Sequence, residues 1–254
     1  MLPCSANTFV KNIYQRKDKL LIGQKKYRGF LIDADNTLFD FDRCEEEALY
    51  ETVSSIYKTT DLQMIADYRK INTSLWKKLE EGKISGKSLE QERFRLLLNL
   101  WGFKADPGDL SRRYLENLSK KRYFLPHAVA VLEYLSKKAV LGLVTNGLAS
   151  VQRNRIARAE IEIFFKTILI SEEIGMAKPN PEVFLLAARH LQLPPHEILC
   201  IGDNPTSDIR GAHTAGMDTC WYSLSDRTYP GNCPRPDYTI SDLRDIMGFA
   251  SDAS

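Results

Sequence analysis

Five short apolar runs constrain the fold more than any other feature of this sequence. They are Phe30–Ile32, Val140–Val144, Ile168–Ile170, Ile198–Ile201 and Thr219–Tyr222. Short runs that are apolar almost throughout are typical of strands buried on both faces of a parallel sheet. Helical patterns separate the last four runs, and strands that alternate with helices predict such a sheet with helices on both faces. The sequence therefore predicts an α/β protein.

A second constraint is the long stretch between the first two runs, which has no strand signal. Within it, Met64, Tyr68, Ile71, Leu75 and Leu79 repeat at helical spacing. Asp42 with Glu45 predicts a capping box at the start of its first helix, and Ser88 is a candidate cap for its third. We expect a basic, disordered extension at residues 1–28, a Rossmann-like core at residues 29–42 and 124–254, and an all-helical cap domain at residues 43–123, inserted after the first strand.

Charge and cysteine content exclude several classes of protein. Residues 1–28 contain seven Lys or Arg and one Asp, which leaves 28 basic against 32 acidic residues in the remainder. A mildly acidic body argues against a nucleic-acid-binding surface. No apolar run approaches the roughly 18 residues of a membrane span, and five cysteines without C-x-x-C spacing predict reduced thiols. We expect a cytoplasmic monomer or homodimer that binds neither nucleic acid nor membrane.

Chemically useful side chains follow the predicted strands. Ligands of open parallel sheets bind outside the carboxyl ends of the strands, so we expect these side chains to converge there. Carboxylates at close range repel one another unless a cation joins them, and hard oxygen ligands suit Mg²⁺, with Mn²⁺ as an alternative. Lysine, hydroxyl and amide groups suit a phosphate, which predicts a small phosphorylated metabolite as substrate. The set comprises Asp33, Asp35, Thr145, Asn146, Lys178, Asp203 and Asp208.

These residues, in this order, resemble the four motifs of the haloacid dehalogenase superfamily. The motifs are Asp33-x-Asp35-x-Thr37, Thr145-Asn146-Gly147, Lys178-Pro179 and Gly202-Asp203-x₄-Asp208. One motif alone would be weak, because Asp-x-Asp is common in turns, but four together are specific. The helical insert resembles the helical cap of that superfamily, and the resemblance extends from Phe30 to about Leu243. It implies hydrolysis of a phosphate monoester through an aspartyl-phosphate.

The resemblance also implies a role for each residue. Asp33 would be the nucleophile and a metal ligand. Asp35 would be the general acid and base, with its backbone carbonyl on the metal. Asp203 would complete the metal shell, and Asp208 would hold metal-bound water or orient Lys178. The phosphoryl oxygens would be bound by Thr145, Asn146 and Lys178.

A narrower resemblance, to the bacterial pyrimidine 5′-nucleotidases, rests on segments such as Leu75-Trp76 and Ile170–Gly175. It implies a nucleoside 5′-monophosphate as substrate, pyrimidine before purine. The alternatives are a phosphatase of sugar phosphates or other phosphometabolites, a phosphomutase with the same motifs, and a non-catalytic phosphometabolite-binding protein.

The cap is expected to select the substrate, because the core motifs account only for the phosphate. We interpret Trp76 and Trp101 as packing residues of the cap. The candidates for contacts with the leaving group are the loop Gly82–Gly86 and the turn after Phe41.

Overall fold

The structure, a computed structural model, describes residues 25–55, 57, 62–80, 82–223 and 228–251 of the 254-residue chain. Its strands are β1 (Gly29–Ile32), β2 (Val140–Thr145), β3 (Thr167–Ile170), β4 (Ile198–Gly202), β5 (Asp218–Tyr222) and β6 (Tyr238–Ile240). All pair in parallel in one sheet of order β3-β2-β1-β4-β5-β6. The five predicted strands are confirmed, and β6 is an addition that no apolar run predicts.

Helices cover the sheet and form the insert. The insert, called the cap below, contains α1 (Phe41–Ser54), α2 (Leu62–Glu80), α3 (Gly86–Trp101) and α4 (Pro107–Lys120). The core contains α5 (Ala128–Leu135), α6 (Ala149–Arg158), α7 (Ser171–Ile174), α8 (Pro181–Leu191) and α9 (Arg210–Thr214). Shorter turns are a π-helical one at Pro205–Ile209 and 3₁₀ helices at Glu162–Phe164, Pro195–Glu197 and Leu243–Phe249. Among the residues described, no helix has both the length and the apolar character needed to cross a membrane.

The central strand β1 shows why its run is apolar throughout. Phe30 and Ile32 belong to the core on one face of the sheet, and Leu31 belongs to the core on the other. Ile32 lies opposite Leu143 of β2 and Ile201 of β4 in the parallel register. These three strands therefore end together, and the residues that follow them meet at one edge of the sheet.

Two helices of the cap begin earlier than their predicted caps allow, α1 by two residues and α3 by three. The side chain of Asp40, not Asp42, caps α1 by accepting a hydrogen bond from the backbone N–H of Arg43. Ser85, not Ser88, caps α3, and its Oγ accepts from the backbone N–H of Ser88. A capping residue needs non-helical dihedral angles. Asp42 and Ser88 already lie inside their helices, so the earlier residues cap instead.

The basic extension is only partly within the described residues, because residues 1–24 lie outside them. Tyr27 is fully buried, and its backbone N–H donates to the carbonyl of Phe249 at 2.9 Å. Its hydroxyl donates to Asp218 at 2.5 Å. The prediction of a disordered extension is therefore wrong for residues 25–28, which pack against the core.

Candidate active site

A buried charge network occupies the common end of β1, β2 and β4. The backbone N–H of Asp33 donates to the carbonyl of Ile201 at 2.9 Å, which fixes Asp33 at the end of β1. The Lys178 ammonium donates to Oδ1 of Asp33 at 2.6 Å and to the carbonyl of Val144 at 2.9 Å. It also lies 2.7 Å from Oδ1 of Asp208. Lys178 is 3% exposed, so the two ion pairs are shielded from water.

Negative charge exceeds positive charge in this network. Burial raises the pKa of Asp33 well above its usual range; Lys178 opposes this effect, whereas Asp208, Asp203 and Asp35 add to it. Burial by itself would lower the pKa of Lys178, but Asp208 and Asp33 raise it overall, so the ammonium stays charged. One cation thus faces several carboxylates, and a second cation would relieve their repulsion.

Three carboxylates lie close enough together to bind that second cation directly or through its water. Ligand oxygens of Asp33, Asp203 and Asp208 all lie within 4.8 Å of one another. Asp208 is the most constrained, because its Oδ2 accepts from the backbone N–H of Asn204 at 3.0 Å while its Oδ1 faces Lys178. A Cβ at Gly202 would lie 2.3 Å from Oδ2 of Asp208. Only glycine at position 202 therefore leaves room for this carboxylate beside the end of β4. The donor set fits Mg²⁺ or Mn²⁺.

Asp35 has different neighbours from Asp33. Its Oδ1 accepts from Nη1 of Arg155 at 2.5 Å, and its Oδ2 accepts from Nε2 of Gln152 at 2.8 Å. The same Gln152 nitrogen donates to Oγ1 of Thr145 at 2.8 Å, and Oε1 of Gln152 accepts from Arg155 at 2.9 Å. The predicted acid–base residue and a predicted phosphate ligand are therefore held by one pair of side chains.

Sequence reasoning missed Gln152 and Arg155. They lie three residues apart on α6 and so share one face of a helix that begins just after Gly147. The sequence feature that could have revealed these two residues is their three-residue spacing, which places a basic residue on the buried face of a helix next to the second motif.

Arg155 also touches both connections between core and cap. Its Nε donates to the carbonyl of Lys121, just after α4, at 3.3 Å. Its guanidinium lies 4.6 Å from the ring centroid of Phe39 and 5.4 Å from that of Phe41, where the chain enters α1. The position of the Asp35 carboxylate is thus tied to the segments at which the cap joins the core.

The side-chain amide of Asn146 contacts the backbone of Lys178. Its Nδ2 donates to the Lys178 carbonyl and its Oδ1 accepts from the Lys178 N–H, both at 2.9 Å. The Lys178–Pro179 peptide bond is cis. Asn146 therefore orients the loop that carries the lysine, and it also lines the cavity described below. Its contact with phosphate stays a prediction.

These residues face a cavity of about 840 Å³ between core and cap. Trp76 lines it and is only partly buried, so its interpretation as a packing residue is wrong, whereas Trp101 does pack against the cap core. The residues after Phe41 belong to helix α1 and form no turn, but Asp42 and Glu45 among them do line the cavity. Within the described residues, the lining includes none of residues 82–86 and draws instead on α2. Its cap side includes Asp42, Glu45, Arg69, Asn72, Thr73, Trp76, Lys77, Arg93 and Tyr114.

Comparison with known proteins agrees with this geometry. The chain is 34% identical over 228 residues to the HAD-hydrolase YfnB of Bacillus subtilis, covering 87% of this chain and 94% of the relative. It is 31% identical over 225 residues to the pyrimidine 5′-nucleotidase YjjG of Escherichia coli, covering 87% and 96%. It is 32% identical over 232 residues to a glyceraldehyde 3-phosphate phosphatase of Methanopyrus kandleri, covering 87% and 95%.

A solved structure and a family model complete the comparison. The crystal structure of YfnB bound to magnesium matches with a TM-score of 0.81 at 32% identity, over 87% of this chain and 97% of that chain. The model of the haloacid dehalogenase-like hydrolases matches residues 27–216. Since this match spans most of the sequence and includes all seven predicted site residues, the chain belongs to the haloacid dehalogenase-like hydrolase family.

Proposed function

We propose that this protein is a magnesium-dependent phosphatase that hydrolyses nucleoside 5′-monophosphates, pyrimidine before purine. The observation that carries the reaction type is the position of Asp33. Its carboxylate lies 2.6 Å from the buried Lys178 ammonium, within a cluster of carboxylates, and faces the cavity. The substrate class is supported by the relative named as a pyrimidine 5′-nucleotidase. A cavity of about 840 Å³ is in the size range of small-molecule sites.

The chain's own residues supply both chemical steps. An oxygen of Asp33 bonds to phosphorus as the bond from phosphorus to the nucleoside oxygen breaks, and Asp35 gives that oxygen a proton. Water then attacks the aspartyl-phosphate and Asp35 takes a proton from it, so that inorganic phosphate leaves and the Asp33 carboxylate is restored. Lys178 and the Thr145 hydroxyl donate to the phosphoryl oxygens during both steps.

The metal would be held by Asp33, Asp203 and the backbone carbonyl of Asp35. When bound, a divalent cation supplies positive charge that offsets the charge of the transferring phosphoryl group. Asp208 remains paired with Lys178 and keeps the ammonium in place.

A screen of phosphate monoesters with detection of free phosphate tests this function. The purified protein is assayed with nucleoside 5′-monophosphates, ribose 5-phosphate and glyceraldehyde 3-phosphate, with Mg²⁺ and with excess EDTA. We expect the highest kcat/KM for pyrimidine nucleotides, its loss in EDTA and its return when Mg²⁺ is restored.

Other outcomes of the screen would contradict particular parts of the proposal. Hydrolysis of sugar or triose phosphates without hydrolysis of nucleotides contradicts the substrate class. Full turnover in EDTA contradicts the metal requirement. A protein that binds phosphate esters but hydrolyses none of them is the non-catalytic alternative.

A further inference from the structure

Arg93 is a buried cation with free hydrogen-bonding capacity. It lies on α3 at 3% exposure, and its Nε and Nη2 are buried without a hydrogen-bond partner among the described residues. Its guanidinium lies 4.8 Å from the ring centroid of Tyr114. A buried guanidinium without a partner is costly, because it has lost its water and gained no acceptor in exchange. The Tyr68 hydroxyl lies close to this guanidinium, which opposes the rise that burial causes in the pKa of Tyr68. No acceptor among the described residues completes a hydrogen bond to Nε or Nη2 of Arg93.

Asn72, on α2, has the complementary free group. Its Nδ2 donates to Oε1 of Glu45 at 2.9 Å. Since a carboxylate can only accept, this bond fixes which end of the amide is nitrogen. Oδ1 of Asn72 is then left buried, with no donor among the described residues. Glu45 itself is held in place by Nε of Arg69 at 3.3 Å.

Both residues line the cavity that contains Asp33. The core holds the phosphoryl group at one side of this cavity, so the leaving group must extend from there toward the cap. Trp76, four residues after Asn72 on α2, lies on the same helix face and also lines the cavity.

We propose that Arg93 and Asn72 bind the hydrogen-bonding edge of a pyrimidine base, an inference that rests on the proposed function. The guanidinium N–H groups match the acceptors of this edge, which are O2 and N3 of cytosine or a carbonyl oxygen of uracil, and the Asn72 oxygen matches the exocyclic N–H of cytosine or the ring N3–H of uracil. A triose phosphate has no such edge. The site would therefore select the base, while the core acts only on the phosphate.

The test removes the arginine and the base separately. Arg93→Met is compared with the wild type on cytidine and uridine 5′-monophosphates and on ribose 5-phosphate, which is the same substrate without its base. Arg93→Met should lower kcat/KM for both nucleotides about 10- to 100-fold, the loss expected when a hydrogen bond to a charged group is removed. Its kcat/KM for ribose 5-phosphate should stay within about twofold of the wild-type value. Arg95→Met is the matched control, because Arg95 is exposed on the same helix, pairs with Glu92 and does not line this cavity.

A second measurement does not depend on turnover. Cytidine, which has no phosphate, should inhibit the wild type competitively, and its inhibition constant should rise at least about tenfold in Arg93→Met and in Asn72→Ala. Asn72→Ala also tests the site if Arg93→Met fails to fold.

The outcomes separate this inference from the proposed function. If the wild type prefers nucleotides but Arg93→Met and Asn72→Ala lose activity equally on nucleotide and ribose 5-phosphate, the base site is wrong and the nucleotidase stands. If the wild type does not hydrolyse nucleotides, the proposed function is wrong and the base site with it.

Discussion

The two sides of the active-site cavity differ in how their buried polar and charged groups are paired. On the core side, Asp33 and Asp208 share the Lys178 ammonium, and Asp35 is paired with Arg155. On the cap side, Arg93 and Asn72 keep buried polar atoms that have no hydrogen-bond partner in the part of the chain that the structure describes. Groups that are already paired are held in a reactive arrangement whatever the substrate. Groups that are unpaired are satisfied only by a ligand that fits them, and such groups produce selectivity. Four predictions test this contrast.

The largest effect is expected at Asp33. Asp33→Asn replaces the attacking carboxylate by a neutral amide, and turnover should fall by about 10⁴-fold or more. Rapid-quench experiments should detect no acid-stable, hydroxylamine-sensitive phosphate on this variant. Asp245→Asn, at an exposed aspartate outside the cavity, is the control and should behave as the wild type. An adduct on Asp33→Asn would assign the nucleophile to another residue.

Lys178→Met should impair both catalysis and folding, because it leaves Asp33 and Asp208 buried without their shared cation. We expect kcat to fall about 10²- to 10³-fold. The free energy of unfolding, from urea titration without metal, should fall by about 3–5 kcal/mol. Lys137→Met removes an exposed lysine and serves as control. A variant with wild-type kcat would show that the core pairing is not needed for the reaction.

Arg155→Met should impair the proposed acid–base role of Asp35 more than the proposed nucleophilic role of Asp33, since Arg155 holds Asp35 but does not pair with Asp33. With a nucleotide, whose leaving oxygen needs a proton, kcat should fall about 10- to 100-fold. With p-nitrophenyl phosphate, whose leaving group needs none, the formation of phosphoenzyme should fall much less. Arg155→Lys should recover part of the loss, and Arg153→Met, which removes a partly exposed residue of the same helix paired with Glu173, should show no such split. Equal losses with both substrates would assign Arg155 a purely structural role.

The smallest effect concerns Glu45 on the cap side. Burial raises the pKa of Glu45, against the opposing effects of Arg69 and Asn72. A carboxyl group whose pKa is higher in the folded than in the unfolded state holds its proton more tightly when folded. Its contribution to stability is present at low pH and is lost as pH rises through the folded-state pKa. Glu45→Gln should therefore gain stability relative to the wild type as pH rises from acid to neutral, as urea unfolding at several pH values would show. A difference in the free energy of unfolding between Glu45→Gln and the wild type that does not change with pH would show that the pKa of Glu45 is not raised in the folded state.

Much of the fold follows from patterns that are local in the sequence. The apolar run that ends at Asp33 is such a pattern, and each of the four motifs is another. Together they predict the core and the edge of the sheet at which the site lies. Strand β6 escaped prediction because it has only three residues, of which Ile240 alone is buried. The helix caps shifted because polar residues stand at both possible positions and only the backbone dihedral angles decide between them.

The sequence by itself predicted which groups would react, because Asp33, Asp35, Lys178 and Asp203 each follow or lie between strands that a local pattern reveals. Only the tertiary structure decided what surrounds those groups. Gln152 and Arg155 reach Asp35 from positions 117 and 120 residues further along the chain. Arg93 differs from Arg95, the other arginine of its helix, in being buried in the folded cap. Pairing, burial and the absence of a partner depend on contacts between distant segments, and periodicity along the chain does not encode those contacts.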